Sequence, residues 1–274
     1  MKKSVFITFL LIFILGAFLR LYKLDKFPPS LFGDEVDVGY QAYSILKTGK
    51  DYLGQSWPVS FHSVSDWRTP LLLYATVPTI AIFGLTEWGV RLPPAFFGII
   101  TLPLFFFFLL KIFKDEKVAL AGMFFMAVSI WHLQYSRAAF EVTQMLFLIL
   151  AGLLLFLKGL ENWRYFIPSA VCLGLTPYSY NTAKFFLPVF LLVLFFSYKE
   201  KLFKIGFKRL FLIGMVFFVV LLPVARDILF GQGGNRFSIL SIFTDPVTVP
   251  KIGFARQTDA FVSNHGSLTV GMKG

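Results

Sequence analysis

Long apolar runs separated by short polar joints organise the first 225 positions of the chain. They cover residues 4–22, 71–83, 92–110, 118–133, 142–157, 165–177, 185–198 and 210–225. A helix rises about 1.5 Å per residue and the hydrocarbon core of a bilayer is about 30 Å thick. The runs therefore predict membrane-crossing helices, several of them short. The run at 71–83 is short and contains Pro78. The longest polar stretch, 23–70, separates the first two runs, and within it the period turns helical. Val36, Tyr40 and Tyr43 recur at three- and four-residue steps, which predicts a helix from about Asp34 to a stop at Gly49. Pro28 and Pro29 stiffen its entry, and Gly33 allows a tight turn there. From residue 226 the pattern dissolves into Gly, Ser, Thr, Pro and scattered charge.

Composition agrees with that pattern. Hydrophobic residues make up 57% of the 274, charged residues 15%, and the mean hydropathy is +0.72. Soluble domains are about 45–50% apolar and about 25% charged. The expected fold is an all-α polytopic membrane protein. The net charge of +11 sits in short clusters between apolar runs, the pattern of loops facing anionic lipid rather than nucleic acid. Cys172 is the only cysteine, so an internal disulfide is excluded, and its apolar run makes it a small buried hydrophobe. Lys2 and Lys3 precede an apolar core as in a signal peptide, but no small-residue cleavage site follows, so 4–22 reads as a retained span.

Charge also orients the spans. Lys111, Lys114 and Lys117, then Lys158 and Arg164, then Lys199, Lys201, Lys204, Lys208 and Arg209 lie in alternate loops. The positive-inside rule places these in the cytoplasm. Residues 134–141, 178–184 and 226–274 are then external. If Lys2 and Lys3 are also inside, eight full crossings would give every later loop the wrong sign. The expectation is that 71–83 does not cross completely. The chain then divides into a transmembrane module, 1–225, with an external loop at 23–70, and the start of an external region, 226–274, of a longer protein.

Candidate chemistry gathers at the edges of the runs. Asp34, Glu35 and Asp37 put three carboxylates within four positions. Asp34 suits an N-cap, but capping needs one acid, and three like charges require a partner: a divalent cation, a basic group or a polar substrate. Further clusters are Asp66-Trp67-Arg68, Arg91-Leu92-Pro93-Pro94, Tyr135-Ser136-Arg137 with Glu141, and Tyr178-Ser179-Tyr180 with Lys184. Singly, Arg68, Arg91 and Lys184 read as snorkelling anchors and the tyrosines as an aromatic belt. Together they read as one external pocket of acids and bases, suited to a lipid-borne phosphate and a hydroxyl-rich group to be transferred. There is no P-loop, nucleophile elbow or His-Glu-x-x-His motif, and His62, His132 and His265 are far apart in sequence.

The ordered motifs resemble the GT-C glycosyltransferases, most of all the family 39 group of protein O-mannosyltransferases and the lipid A aminoarabinose transferase. The resemblance rests on Asp34-Glu35 opening a helix, Arg68-Thr69-Pro70-Leu71, Arg91-Leu92-Pro93-Pro94-Ala95, Ser136-Arg137 followed by Glu141, and Tyr178-x-Tyr180 with Lys184 before Leu187-Pro188. Arg68-Thr69 stands where Lys-Pro is common, Glu141 where Asp is usual and Lys184 where Arg is frequent. The resemblance implies a GT-C-type transmembrane helix bundle whose external first loop carries short interfacial helices. It implies an inverting transferase in the plasma membrane that moves a sugar from a polyprenyl-phosphate donor to an acceptor glycan, lipid or protein. Asp34 would be the general base, and Glu35 a partner for the acceptor or a metal. Arg68, Arg91, Arg137 and Lys184 would serve the donor phosphate, with Glu141, Tyr178 and Tyr180 beside the substrates. No cofactor is required by that scheme, although Asp34-Glu35 could hold a divalent cation. The competing reading is a transporter or flippase of lipid-linked glycans. It predicts inverted repeats and mid-membrane polar groups; no repeat is visible, and the ionisable groups sit at span ends.

Overall fold

The structure, a computed structural model, describes residues 2–63, 66–234 and 254. Among the described residues the regular elements are ten α-helices, two 3-10 turns (Trp163–Tyr165 and Thr176–Tyr178) and one short hairpin. The helices are α1 (Lys3–Leu21), α2 (Gly33–Thr48), α3 (Pro70–Phe83), α4 (Glu87–Phe113), α5 (Glu116–Val128), α6 (Ile130–Ser136), α7 (Val142–Gly159), α8 (Phe166–Leu175), α9 (Ala183–Phe203) and α10 (Phe207–Phe230). The hairpin pairs β1 (Phe61–Ser63) with β2 (Asp66–Arg68), antiparallel, with Phe61 opposite Arg68. The 23–70 loop thus carries one helix, α2, together with the hairpin. Helix α10 also runs on past 225 to Phe230, and of the expected external region beyond Gly234 all but Phe254 lies outside the described residues, His265 included.

Among the described residues four helices are long and apolar enough to cross a membrane: α1, α4, α7 and α10. Helices α5 and α6 together make a fifth candidate, bent by 57° at the Ser129 break. The path of the chain follows from contacts between helix ends. Arg137, just after α6, binds the carbonyls of Leu19 and Tyr22, so α6 ends beside the end of α1. The start of α4 meets the same place through Arg91, which binds the Leu24 carbonyl. At the far end Lys111 of α4 pairs with Glu161, beyond α7, at 2.6 Å. Helix α8 runs back along α7, Phe166 against Gly159 and Leu173 against Gly152. Asn181, after α8, reaches the Trp67 carbonyl of β2 at 2.9 Å. Helix α10 returns to that end as well, where Asp227 accepts a bond from Ser60.

One end of the bundle therefore gathers the 23–70 loop, the α6–α7 joint and the α8–α9 joint. The opposite end gathers Lys2-Lys3, Lys111 to Lys117, Lys158 with Arg164, and Lys199 to Arg209, whereas Lys23, Lys26, Lys47 and Lys50 stay in the 23–70 loop. Helix α3 explains how this is possible. Its 14 residues reach only about 21 Å. Arg68, two residues before it, contacts Asp34 of α2. Leu85, two residues after it, packs near Gly39 of the same helix. Both ends of α3 thus lie beside α2.

Buried apolar residues form a core beneath α2, with Val38, Ala42, Phe61, Leu72, Leu73 and Val90 packed together. A second core joins Ile12 of α1 to Leu102 and Phe106 of α4 and to Met123 of α5. Much of the outer face of α9 and α10 is exposed phenylalanine, leucine and valine, as expected of helices solvated by lipid.

Candidate functional site

Helix α2 places the acids. Its N-cap is Phe32, not Asp34, and Asp34 makes no capping bond. Glu35 closes the first turn instead, accepting from the Phe32 N–H at 3.4 Å. The preceding turn uses Ser30 in the left-handed conformation, φ 56°, so Gly33 opens the helix without a special backbone angle. Gly49 ends the helix at φ 72°, as a C-terminal glycine should.

Consecutive helical residues point about 100° apart, and this separates Asp34 from Glu35. Glu35 faces inward and is fully buried. Its two oxygens take a bidentate pair from Arg91, Nε–Oε1 and Nη2–Oε2 both at 2.9 Å. Oε1 also accepts from the Ala139 N–H at 3.1 Å. The remaining N–H groups of Arg91 go to the carbonyls of Leu24, Pro28 and Ser30 at 3.0, 2.8 and 2.6 Å. A guanidinium has five donors, and all five have partners here. As placed, neither Glu35 nor Arg91 has an unused group for a substrate. They lock α2, α4, the Leu24–Ser30 turn and the α6–α7 joint together.

Asp34 and Asp37 lie three residues apart, on one face, and both meet Arg68. The Arg68 guanidinium contacts Asp34 Oδ1 through Nη2, Asp37 Oδ2 through Nε at 3.2 Å, and Glu141 Oε1 through Nη1 at 3.4 Å. Arg68, Asp37 and Glu141 keep only 9–10% side-chain exposure, whereas Asp34 keeps 56%. The Asp37 contact is Coulombic: Nε and Oδ2 are close but not aligned as a hydrogen bond. Burial pushes the Asp37 carboxyl up from its ordinary value, against the opposing pull of the Ser63 hydroxyl and Arg68. Three carboxylates thus share one cation at the open end of the bundle.

Arg137 is spent on backbone. Besides Leu19 at 2.6 Å and Tyr22 at 2.9 Å it binds the carbonyls of Lys23 and Phe27, where α1 leaves acceptors unsatisfied. The Tyr178 hydroxyl donates to the Val220 carbonyl at 2.6 Å and ties α8 to α10. Tyr180 is half-buried. Lys184 donates to the Gly233 carbonyl at 2.8 Å. It also lines one end of an apolar groove of about 580 Å³ between α9 and α10, with Leu187, Leu191, Leu221, Val224 and Ile228.

The nine residues expected at the site therefore divide. Asp34, Arg68 and Glu141 come together, and the Asn181 bond to Trp67 brings the Tyr178–Lys184 stretch alongside. Glu35, Arg91 and Arg137 lie beneath as a scaffold. Asp34 and Glu35 diverge and do not share one cation position. Among the described residues no group of three or more His, Cys, Asp or Glu side chains is placed to hold a metal ion. Sequence reasoning grouped Asp37 with Asp34 and Glu35 but assigned no site role to it or to Asn181. The three-residue spacing from Asp34 was the signal for the first; nothing local marks the second.

The pattern of the dolichyl-phosphate-mannose-protein mannosyltransferase family matches residues 67–225. The chain belongs to this family. The match takes in Arg68, Arg91, Arg137, Glu141, Tyr178, Tyr180 and Lys184, and the Asp34–Asp37 helix precedes it. A curated relative, the dolichyl-phosphooligosaccharide-protein glycotransferase 2 of Pyrococcus horikoshii, is 31% identical over 116 residues, covering 37% of this chain and 15% of the relative. No solved structure matches the chain. The chain spans only a small part of that relative's length, and its apolar helices accord with a multi-pass membrane protein.

Proposed function

We propose that the protein transfers a sugar from a polyprenyl-phosphate donor to an acceptor hydroxyl, with inversion, at the end of the bundle that holds Arg68, and that this end is the external face of the plasma membrane. The observation that carries the proposal is the shared guanidinium: Arg68 faces three carboxylates, only one of which, Asp34, is open to solvent. The placement of the Lys111–Lys117, Lys158–Arg164 and Lys199–Arg209 clusters at the other end supports the external assignment.

In the reaction the acceptor oxygen attacks the anomeric carbon, and the bond from that carbon to the phosphate oxygen breaks. The hydroxyl proton passes to Asp34. The departing lipid phosphate gains negative charge, which Arg68 and Lys184 stabilise. The apolar groove beside Lys184 suits the donor's polyprenyl tail, since its one cation sits at the end of an otherwise hydrocarbon lining. Arg68 is fully engaged at rest, so the donor phosphate competes with Asp34 for it. Donor binding releases Asp34 as the base only when there is a bond to break. Glu35 and Arg91 act as positioning residues, and Glu141 and Asp37 hold Arg68 from behind.

The test is transfer from labelled polyprenyl-phosphate sugars in membranes carrying the full-length gene, wild type beside Asp34→Asn. Loss of a general base costs about 10²–10⁴-fold, so transfer should fall by that order. Binding of polyprenyl phosphate should persist or tighten, because the competing carboxylate is gone. Undiminished transfer by Asp34→Asn would remove Asp34 from the chemistry. Donor binding with no transfer by wild type, whatever the donor sugar, would favour a transporter.

A further inference from the structure

At the opposite end of the bundle the structure has a second polar cavity, of about 620 Å³. The end of α7, the 3-10 turn at Trp163–Tyr165 and the α9–α10 turn form it. Helix α7 is 18 residues long, so it separates Glu141 at its start from this cavity by about 27 Å, close to the thickness of the hydrocarbon core. The cavity therefore lies at the other membrane edge from Arg68.

Its walls are basic. Lys201, Lys204 and Arg209 line it, with Trp163, Asn162 and Glu161. The one acid is engaged elsewhere: Glu161 pairs with Lys111 at 2.6 Å, which holds its carboxyl below the usual range. Among the described residues none of the three cations meets a carboxylate. Arg209 stacks over the Trp163 ring at 5.1 Å, and Lys201 lies over Tyr198 at 6.0 Å, contacts that hold a cation in place without neutralising it. Three unneutralised cations around one concavity repel each other and gain from a shared anion.

The rim identifies the source of that anion. Phe203, Phe207 and Phe211 lie in the same α9–α10 connection as the lining residues Lys204 and Arg209 and are 66%, 83% and 64% exposed. Side chains so apolar at a membrane edge face acyl chains. A ligand here would have its phosphate among the cations and its hydrocarbon in the acyl layer that these phenylalanines face. We infer that the cavity bounded by Trp163, Lys201, Lys204 and Arg209 is a binding site for the phosphate headgroup of an anionic phospholipid of the leaflet opposite the Arg68 site. The bound headgroup ties the α9–α10 hairpin to the α7–α8 joint.

The full chain, reconstituted in bilayers of phosphatidylcholine and phosphatidylglycerol, would be released and its retained lipid read by native mass spectrometry. Wild type should retain phosphatidylglycerol preferentially. Each cation near an anionic lipid is worth about fivefold in affinity, so Lys201→Ala with Lys204→Ala should lower that preference about 25-fold. Lys199→Ala with Lys208→Ala removes the same charge from the same turn but outside the cavity, and should leave the preference standing. Lys204→Ala alone, an exposed change, should give about a fivefold loss should the double variant prove unstable in phosphatidylcholine alone. Equal retention of the two lipids by wild type would overturn the site. Equal loss from both double variants would reduce it to diffuse surface charge. Displacement of phosphatidylglycerol by excess inorganic phosphate would reassign the cavity to a soluble anion and overturn the lipid assignment.

Discussion

Neighbouring carboxylates in this protein have opposite fates because a helix turns them apart. Glu35 is fully buried with a five-fold satisfied Arg91. Removing one partner from such a pair leaves a buried charge uncompensated and costs about 3–5 kcal/mol. Glu35→Gln should therefore lower the thermal unfolding midpoint markedly in detergent, whereas Asp34→Asn, at the exposed edge, should shift it little. Asp37 offers a test in pH. Its carboxyl titrates above 3.8 in the folded protein because burial disfavours the charged form. The native state then holds a proton more tightly than the unfolded chain, so stability falls as pH rises from 3.8 toward the folded value. Asp37→Asn should flatten that slope in unfolding midpoints measured against pH; an unchanged slope would mean that another group sets it. The acidic character of this helix was legible from residue types. Which acid goes inward was not, since that depends on the rotation of α2 against α4.

Helices here approach closely where side chains are missing or small. A methyl group at Gly98 of α4 would stand 2.6 Å from the Ser136 Cβ of α6. The displaced atom is close to backbone and has little room to yield. Gly98→Ala should cost about 1–3 kcal/mol, as overpacking usually does, and thermal unfolding of the variant measures it. The consequence reaches the site, since Ser136 leads into Arg137, which holds the end of α1, and into Ala139, which holds Glu35. The helical runs at 4–22, 92–110, 142–157 and 210–225 could be read from the sequence almost as they stand. The break at Ser129 could not. Arg20 of α1 stabilises it by donating to the Met126 and Ala127 carbonyls, acceptors that the end of α5 leaves unpaired, and that partner is more than a hundred residues away.

Across the whole molecule the short α3 reconciles the charge pattern with the helix count. With both ends of that segment beside α2, the N-terminus and the Lys111–Lys117, Lys158–Arg164 and Lys199–Arg209 clusters share one end. A single cysteine at position 162 and another at position 53, each in a Cys172→Ser background, should be labelled by impermeant maleimide from opposite sides of the membrane. Position 53 should react from the external side. Labelling of both from one side would overturn the arrangement. By itself the sequence determined the membrane class, the spans and their charge asymmetry, because these depend on residue type and on period along the chain. It also supplied the ordered motifs that mark the family. Only the tertiary structure decided which charged groups are spent on backbone and buried partners and which meet at the open end of the bundle. Arg68, Arg91 and Arg137 are indistinguishable as types. Their partners are set by contacts between segments distant in sequence, and in a low-dielectric interior the partner determines what a charge can do.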